Sequence, residues 1–186
     1  MTNMTDEHLM ASFRDMRDLR SFEELTDRYS AKALGVARHY LLDQAAAEDA
    51  VQETFIRVMR HADRFAPQAP FGPWFYRMLR NICFDMLRKR KTYVNYMERF
   101  GADQSGSQWN GISDDVDNPS TLLSQLPGPE REVLVMKIIN DMSFSDIAAA
   151  VDSTVEAVKK RSQRGLKRLK AMYQSRANQK EVIASR

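Results

Sequence analysis

Cysteine, glycine and proline are scarce in this chain: its 186 residues include one cysteine, 7 glycines and 6 prolines. A single thiol excludes a disulfide framework and any zinc site built from several cysteines, and it fits a reducing compartment such as the cytoplasm. So few turn formers exclude a turn-rich all-β protein. No apolar run reaches the roughly 18 residues of a membrane span. The opening MTNMTDEHLM lacks the basic start and apolar stretch of a secretory signal. Signatures of enzymes are missing too. There is no Gly-rich phosphate loop and no H-E-x-x-H, and His8, His39 and His61 are scattered. Cys83 stands among Ile82, Phe84 and Met86 and reads as a packed core thiol. The 11 methionines read as core filler. No catalytic residue, metal site or cofactor is expected.

What the chain does have is charge, unevenly placed. The net charge of +3 hides a strong segregation. Residues 67–96 carry net +5 and residues 156–170 carry net +6, while 97–126 carry −4 and 127–155 carry −3. Two basic islands about 70 residues apart are what a protein touching a polyanion at two places would show. The same residues would also serve as two solvated helix faces.

Helical periodicity dominates and strand alternation is nearly absent. A short amphipathic helix is predicted near 6–19. Ser21 with Glu24 reads as a capping box, followed by an apolar stripe at Phe22, Leu25, Tyr29, Ala33, Val36 and Tyr40. Asp43 is predicted to cap the next helix, whose stripe runs Ala47, Ala50/Val51, Thr54/Phe55 and Val58/Met59 and whose polar face holds Asp49, Gln52, Glu53 and Arg57. Pro67 and Pro70 mark a loop over 66–71, and a helix is predicted over 73–91. Residues 101–118, rich in Gly, Ser, Asn and Asp, are the best linker candidate, with Trp109 as an aromatic anomaly. The fold class is therefore all-α: two small helical domains on a flexible acidic linker. The boundaries are 1–96, 97–118 and 119–186.

In the second domain, Pro127-Gly128-Pro129 breaks the chain before a helix over 130–140. Capping boxes at Ser143/Asp146 and Ser153/Glu156 predict a short helix, a tight turn and a longer helix to about Tyr173. That is a helix-turn-helix pattern. Ile147, Ala148, Val151, Val155 and Val158 would face inward. Lys159, Lys160, Arg161, Gln163, Arg164, Lys167 and Arg168 would face outward, where Lys and Arg read guanine and Gln reads adenine in a major groove. An αα-hairpin with a solvated basic face fits the same pattern. In the first domain, Phe71, Trp74, Phe75 and Tyr76 interleave with Arg77, Arg80, Asn81 and Arg88. Rings that stack and cations that pair with phosphate suit single-stranded nucleic acid, although Trp74 and Phe75 also suit a core.

Four ordered blocks, AEDAVQETFIRVMRHADRF at 47–65, FGPWFYRMLRNICFDMLRKRK at 71–91, LPGPEREVLVMKIINDMSFSDIAAAV at 126–151 and TVEAVKKRSQRGLKRLK at 154–170, together resemble the small extracytoplasmic-function (ECF) subgroup of bacterial RNA polymerase sigma factors. The resemblance implies that the first domain is a region 2 and the second a region 4. It implies core polymerase binding through Asp49, Gln52, Glu53 and Arg57. Recognition and melting of a −10 element would use Phe71, Tyr76, Arg77, Arg80, Asn81 and Arg88. Contact with a −35 element would use Lys159, Lys160, Arg161, Gln163, Arg164, Lys167 and Arg168. The implied partners are core RNA polymerase, promoter DNA and an anti-sigma factor. Glu156, Ala157 and Lys160 depart from the residues common in the family's recognition helix, which bears on the −35 sequence and not on the role. Apart from that resemblance, a helix-turn-helix regulator with an N-terminal sensor or oligomerisation domain fits the charge pattern as well.

Overall fold

The computed structural model describes residues 4–100 and 119–184, with side chains over 4–93 and 122–175. The described residues form helices α1 (Asp6–Met16), α2 (Leu19–Leu41), α3 (Gln44–Arg60), α4 (Phe71–Phe100), α5 (Pro119–Ser124), α6 (Gly128–Ile139), α7 (Phe144–Ala150) and α8 (Val155–Ala184), with one 3-10 turn at Ala62–Arg64. Among them there is no strand, as an all-α reading requires. No described helix is long and apolar enough to cross a membrane.

Side-chain caps set most helix starts. Thr5 accepts from His8 N–H, Asp43 from Ala46 N–H and Ser143 from Asp146 N–H, each satisfying one orphan donor and contributing about 1 kcal/mol. Two predicted starts are corrected. Asp18, not Ser21, caps α2, and Ser21 lies inside the helix with its hydroxyl donating to Asp18 Oδ2 at 2.6 Å. Thr154, not Ser153, caps α8 by accepting from Ala157 N–H at 3.2 Å. In both cases a second capping residue three or fewer positions away competes, and tertiary packing selects between them. The loop after α3 is shorter than predicted because Glu7 of α1 accepts from Phe71 N–H, which starts α4 at Phe71. Pro73 is tolerated because it lies in the first turn, where no intrahelical donor is lost.

α1 to α4 surround an aromatic core. Phe71 packs against Phe65, Phe75 and Tyr29 with ring centroids 5.0–5.9 Å apart, and Phe22 and Phe55 close its other end. α6, α7 and α8 enclose a smaller aliphatic core of Val133, Leu134, Met136, Ile147, Val151 and Val158, all buried. The two cores are continuous, since α2 packs on α6 and α4 on α7. Gly35 lets α2 approach α6 closely: a Cβ there would stand 3.3 Å from Ile139 Cγ2. The predicted linker begins too early, because residues 97–100 are the last turn of α4. Its remainder, including Trp109, lies outside the described residues.

Candidate nucleic-acid interface

α7 and α8 form the predicted helix-turn-helix. Ile147, Ala148, Val151 and Val158 are buried as expected, and Val155 is half-buried. The turn runs through Asp152, held at φ 54°, and Ser153 N–H closes on the carbonyl of Ala148 at 2.9 Å. Asp is one of the few non-glycine residues that visit this left-handed region readily.

The basic face of α8 is mostly open to solvent. Lys159, Lys160, Gln163, Lys167 and Arg168 are exposed and Arg161 is half-exposed. Lys159 leans 3.6 Å from Glu156. Two members of the face have an unforeseen anchor, Glu130 of α6. Its side chain is 5% exposed, and its carboxylate lies 3.2 Å from Arg168 Nε and 3.7 Å from Arg164 Nε. α8 comes close enough to α6 for this because residue 165 is glycine: a Cβ there would meet Leu134 Cδ1 at 2.7 Å. Glu130 was legible in principle. Its spacing to Val133, Leu134 and Lys137 puts it on the apolar side of α6, where a carboxylate needs a cation.

The predicted single-strand surface on α4 divides. Phe71 is fully buried, and Tyr76 is 2% exposed with its hydroxyl unpartnered. The expectation that these two rings stack on bases is corrected for this arrangement, because both are spent on the aromatic core. Burial raises the Tyr76 phenol well above its ordinary range. Trp74 is half-buried against Phe65 and Phe71. Asn81 and Arg88 are exposed, Arg88 pairing with Asp85. Arg77 and Arg80 instead reach α5 to α8. Arg77 donates through Nε and Nη2 to the carbonyl of Ala149, at 3.1 and 2.5 Å. Arg80 Nε donates to Glu132 Oε1 at 2.6 Å and its guanidinium stacks 4.7 Å over the Phe84 ring.

On α3, Asp49 and Gln52 are exposed and Glu53 pairs with Arg57 at 2.8 Å. Ile56 and Met59 emerge beside them, 36% and 38% exposed. Met59 was predicted to face inward, yet only Val58 of that pair does. The result is a charged face with an apolar centre, the pattern of a protein-docking surface. Cys83 is fully buried, and burial pushes its thiol up to about 12, as a core thiol requires.

Residues 25–93 match the family model of sigma-70 region 2, and residues 120–169 match that of sigma-70 region 4. The RNA polymerase sigma factor CarQ of Myxococcus xanthus is 29% identical over 169 residues, covering 88% of this chain and 94% of that protein. The ECF RNA polymerase sigma factor SigW of Bacillus subtilis is 28% identical, covering 82% and 89%. The chain belongs to the ECF sigma factors. Its function is accordingly promoter-specific initiation of transcription through core RNA polymerase. Among solved structures, that of CnrH in complex with the cytosolic domain of CnrY superposes on this sigma factor with a TM-score of 0.70 at 26% identity, covering 91% of this chain and 97% of CnrH. CnrH of Cupriavidus metallidurans is also a sequence relative at 28% identity. The RpoE of Bartonella quintana, solved with the anti-sigma factor NepR, has a TM-score of 0.69, covers 83% and 98%, and at 21% identity shows the fold alone.

Proposed function

We propose that this sigma factor reads its promoter with two separate surfaces. In this reading the first domain runs to the end of α4 at Phe100 and the second begins at Pro119, with an acidic tether between them that DNA repels. The α8 face enters the major groove at the −35 element. Lys159, Lys160, Arg161 and Gln163, in the early turns of the helix, reach base edges, while Arg164, Lys167 and Arg168 lie nearer phosphates. On α4, Asn81 with Arg77, Arg80 and Arg88 engages the −10 element as it opens. Phe71 and Tyr76 support that surface from the core. Melting costs a few kcal/mol, offset by stacking of about 1–3 kcal/mol per captured base and by polymerase contacts.

Asp49, Gln52, Glu53 and Arg57, with Ile56 and Met59 at the centre, dock on the coiled coil of the largest polymerase subunit. Each domain alone makes few phosphate contacts, so tethering both on polymerase raises the effective concentration of the second once the first is bound. The chain acts as a binding factor without chemistry of its own, in the cytoplasm where core polymerase works. An anti-sigma protein holds it inactive, a reading supported by the likeness to CnrH, solved with the cytosolic domain of CnrY. The observation that carries the proposal is the exposed basic face of α8 on a well-formed helix-turn-helix. Reconstitution tests it: purified chain plus core polymerase on genomic fragments should give discrete start sites. Core polymerase giving the same transcripts without the chain contradicts it.

A further inference from the structure

Glu130 is a carboxylate withdrawn from water beneath the basic face of α8. It stands in the first turn of α6, where the positive end of the helix dipole suits a negative group. Arg164 Nε lies 3.7 Å from its Oε1 and Arg168 Nε 3.2 Å from its Oε2, so two cations share one carboxylate and each oxygen faces one of them. Residues four apart on a helix lie one above the other, about 6 Å along the axis. Gly165 seats the pair. A Cβ there would meet Leu134 Cδ1 at 2.7 Å and Glu130 Cβ at 3.4 Å, so only glycine lets α8 settle this close. Both arginines approach Glu130 through Nε, the nitrogen nearest the stem, while their side chains remain 64% and 54% exposed. The outer Nη ends are therefore left for a ligand on the solvent side.

An unrestrained arginine can follow a phosphate into many registers, because its long side chain has many rotamers. Contacts of that kind add affinity without sequence information. A guanidinium held at its inner nitrogen sweeps a narrower range, and the hold is weakly screened because the carboxylate is buried. Two such cations on one anchor fit the DNA backbone at one depth and angle of α8. That is the pose in which Lys159, Lys160, Arg161 and Gln163 of the early turns meet base edges. In any other pose the carboxylate competes with phosphate for both cations. We propose that Glu130 is a positioning residue for promoter recognition: without touching DNA, it holds Arg164 and Arg168 so that their phosphate contacts form in the register where α8 reads the −35 bases. It sets discrimination between promoters more than affinity for DNA as such. The inference rests on reading α8 as the −35 helix, and it adds the residue of α6 that makes the phosphate contacts of α8 selective.

Glu130→Gln keeps the shape of the side chain and removes its charge, and Glu130→Leu removes the polar group altogether. Each is tested as the full-length chain bound to core polymerase, on a preferred promoter and on one whose −35 element is scrambled. Both variants should bind the preferred promoter about three to ten times more weakly than the parent. They should bind the scrambled promoter as tightly as the parent or up to about threefold more tightly, since a negative charge near phosphate is gone. Discrimination between the two promoters therefore falls roughly tenfold. The urea midpoint of Glu130→Leu should not fall, which separates positioning from support of the fold. In a chain that already carries Arg164→Ala and Arg168→Ala, Glu130→Gln should change discrimination no further. Equal weakening on both promoters would mean that Glu130 acts through the fold, and equal tightening that it acts through charge alone. Either result, or unchanged discrimination, overturns the positioning role. If Arg164→Ala with Arg168→Ala leaves promoter binding by the polymerase complex untouched, the assignment of α8 to the −35 element fails instead.

Discussion

Arg168 Nε stands 3.2 Å from Oε2 of Glu130, a carboxylate almost wholly shielded from solvent where α6 supports α8. The contact is an ion pair without hydrogen-bond alignment, since Oε2 has no hydrogen-bond partner. Charge neutralisation is therefore what Arg168 supplies. Removing the cation leaves a buried charge, whereas removing the carboxylate leaves an apolar space that leucine fills. Arg168→Ala should cost about 1–3 kcal/mol of stability in urea unfolding, with Arg164 at 3.7 Å as a partial substitute. Glu130→Leu should be neutral or stabilising. Equal losses from both substitutions would contradict the asymmetry.

Base reading and phosphate binding should separate along α8. Lys167→Ala should weaken promoter binding by the polymerase complex uniformly across promoter sequences and reduce the salt dependence by about one phosphate contact. Gln163→Ala should cost about 1–3 kcal/mol on the preferred sequence and much less on a promoter altered at one −35 position. Salt titrations on a set of point-altered promoters measure both. A uniform loss for Gln163→Ala would place it on phosphate.

In the proposed reading, Ile56 and Met59 form the apolar centre of the surface on α3 that docks on polymerase. Ile56→Asp and Met59→Asp should leave helicity and unfolding midpoint close to those of the parent, because both side chains are already more than a third exposed. Affinity for core polymerase should fall at least about tenfold, as for a central interface contact. Pull-down of core polymerase against a titration of the variant measures the change. Unaltered affinity would move the docking surface off α3.

Alkaline pH should loosen the first domain. Cys83, pushed up to about 12, has an ordinary value of 9.0. Burial also raises the phenols of Tyr29, Tyr40 and Tyr76 above their ordinary 10.0. Each group stays neutral in the folded chain while the unfolded chain ionises. The stabilisation is therefore complete below about pH 9 and is lost as pH rises through the folded values. The urea midpoint should be level from pH 7 to 8.5 and fall by pH 10.5. Thiol reagents should label Cys83 slowly at pH 8 and rapidly in urea. A midpoint unchanged at pH 10.5 would contradict the burial argument.

Much of the fold can be read locally. Asp43 and Ser143 cap where their spacing to the next apolar run says they should, and Ile147, Val151 and Val158 are buried where a 3.6-residue period puts them. The basic residues of α8 were equally legible, since charge at helical spacing needs no tertiary information. What could not be read locally depends on distant partners. Phe71 looks like a stacking platform until Tyr29, Phe65 and Phe75 surround it. Glu132 meets Tyr40 and Arg80 across 92 and 52 residues, so no periodicity announces it. Arg77 and Arg80 illustrate the limit best. Their charge is plain in the sequence, but the oxygens they hold, on Ala149 and Glu132, lie 72 and 52 residues away.

The claim on which the account depends is that one chain touches two promoter elements at once through α8 and α4. A photo-crosslinking residue at position 163 or 81, in a complex of full-length chain, core polymerase and promoter, tests it most directly. The account predicts that position 163 crosslinks to duplex DNA around −35 and position 81 to the non-template strand around −10, in the same initiation-competent complex. Crosslinks from both positions to polymerase or to each other's domain, with none to DNA, would contradict it.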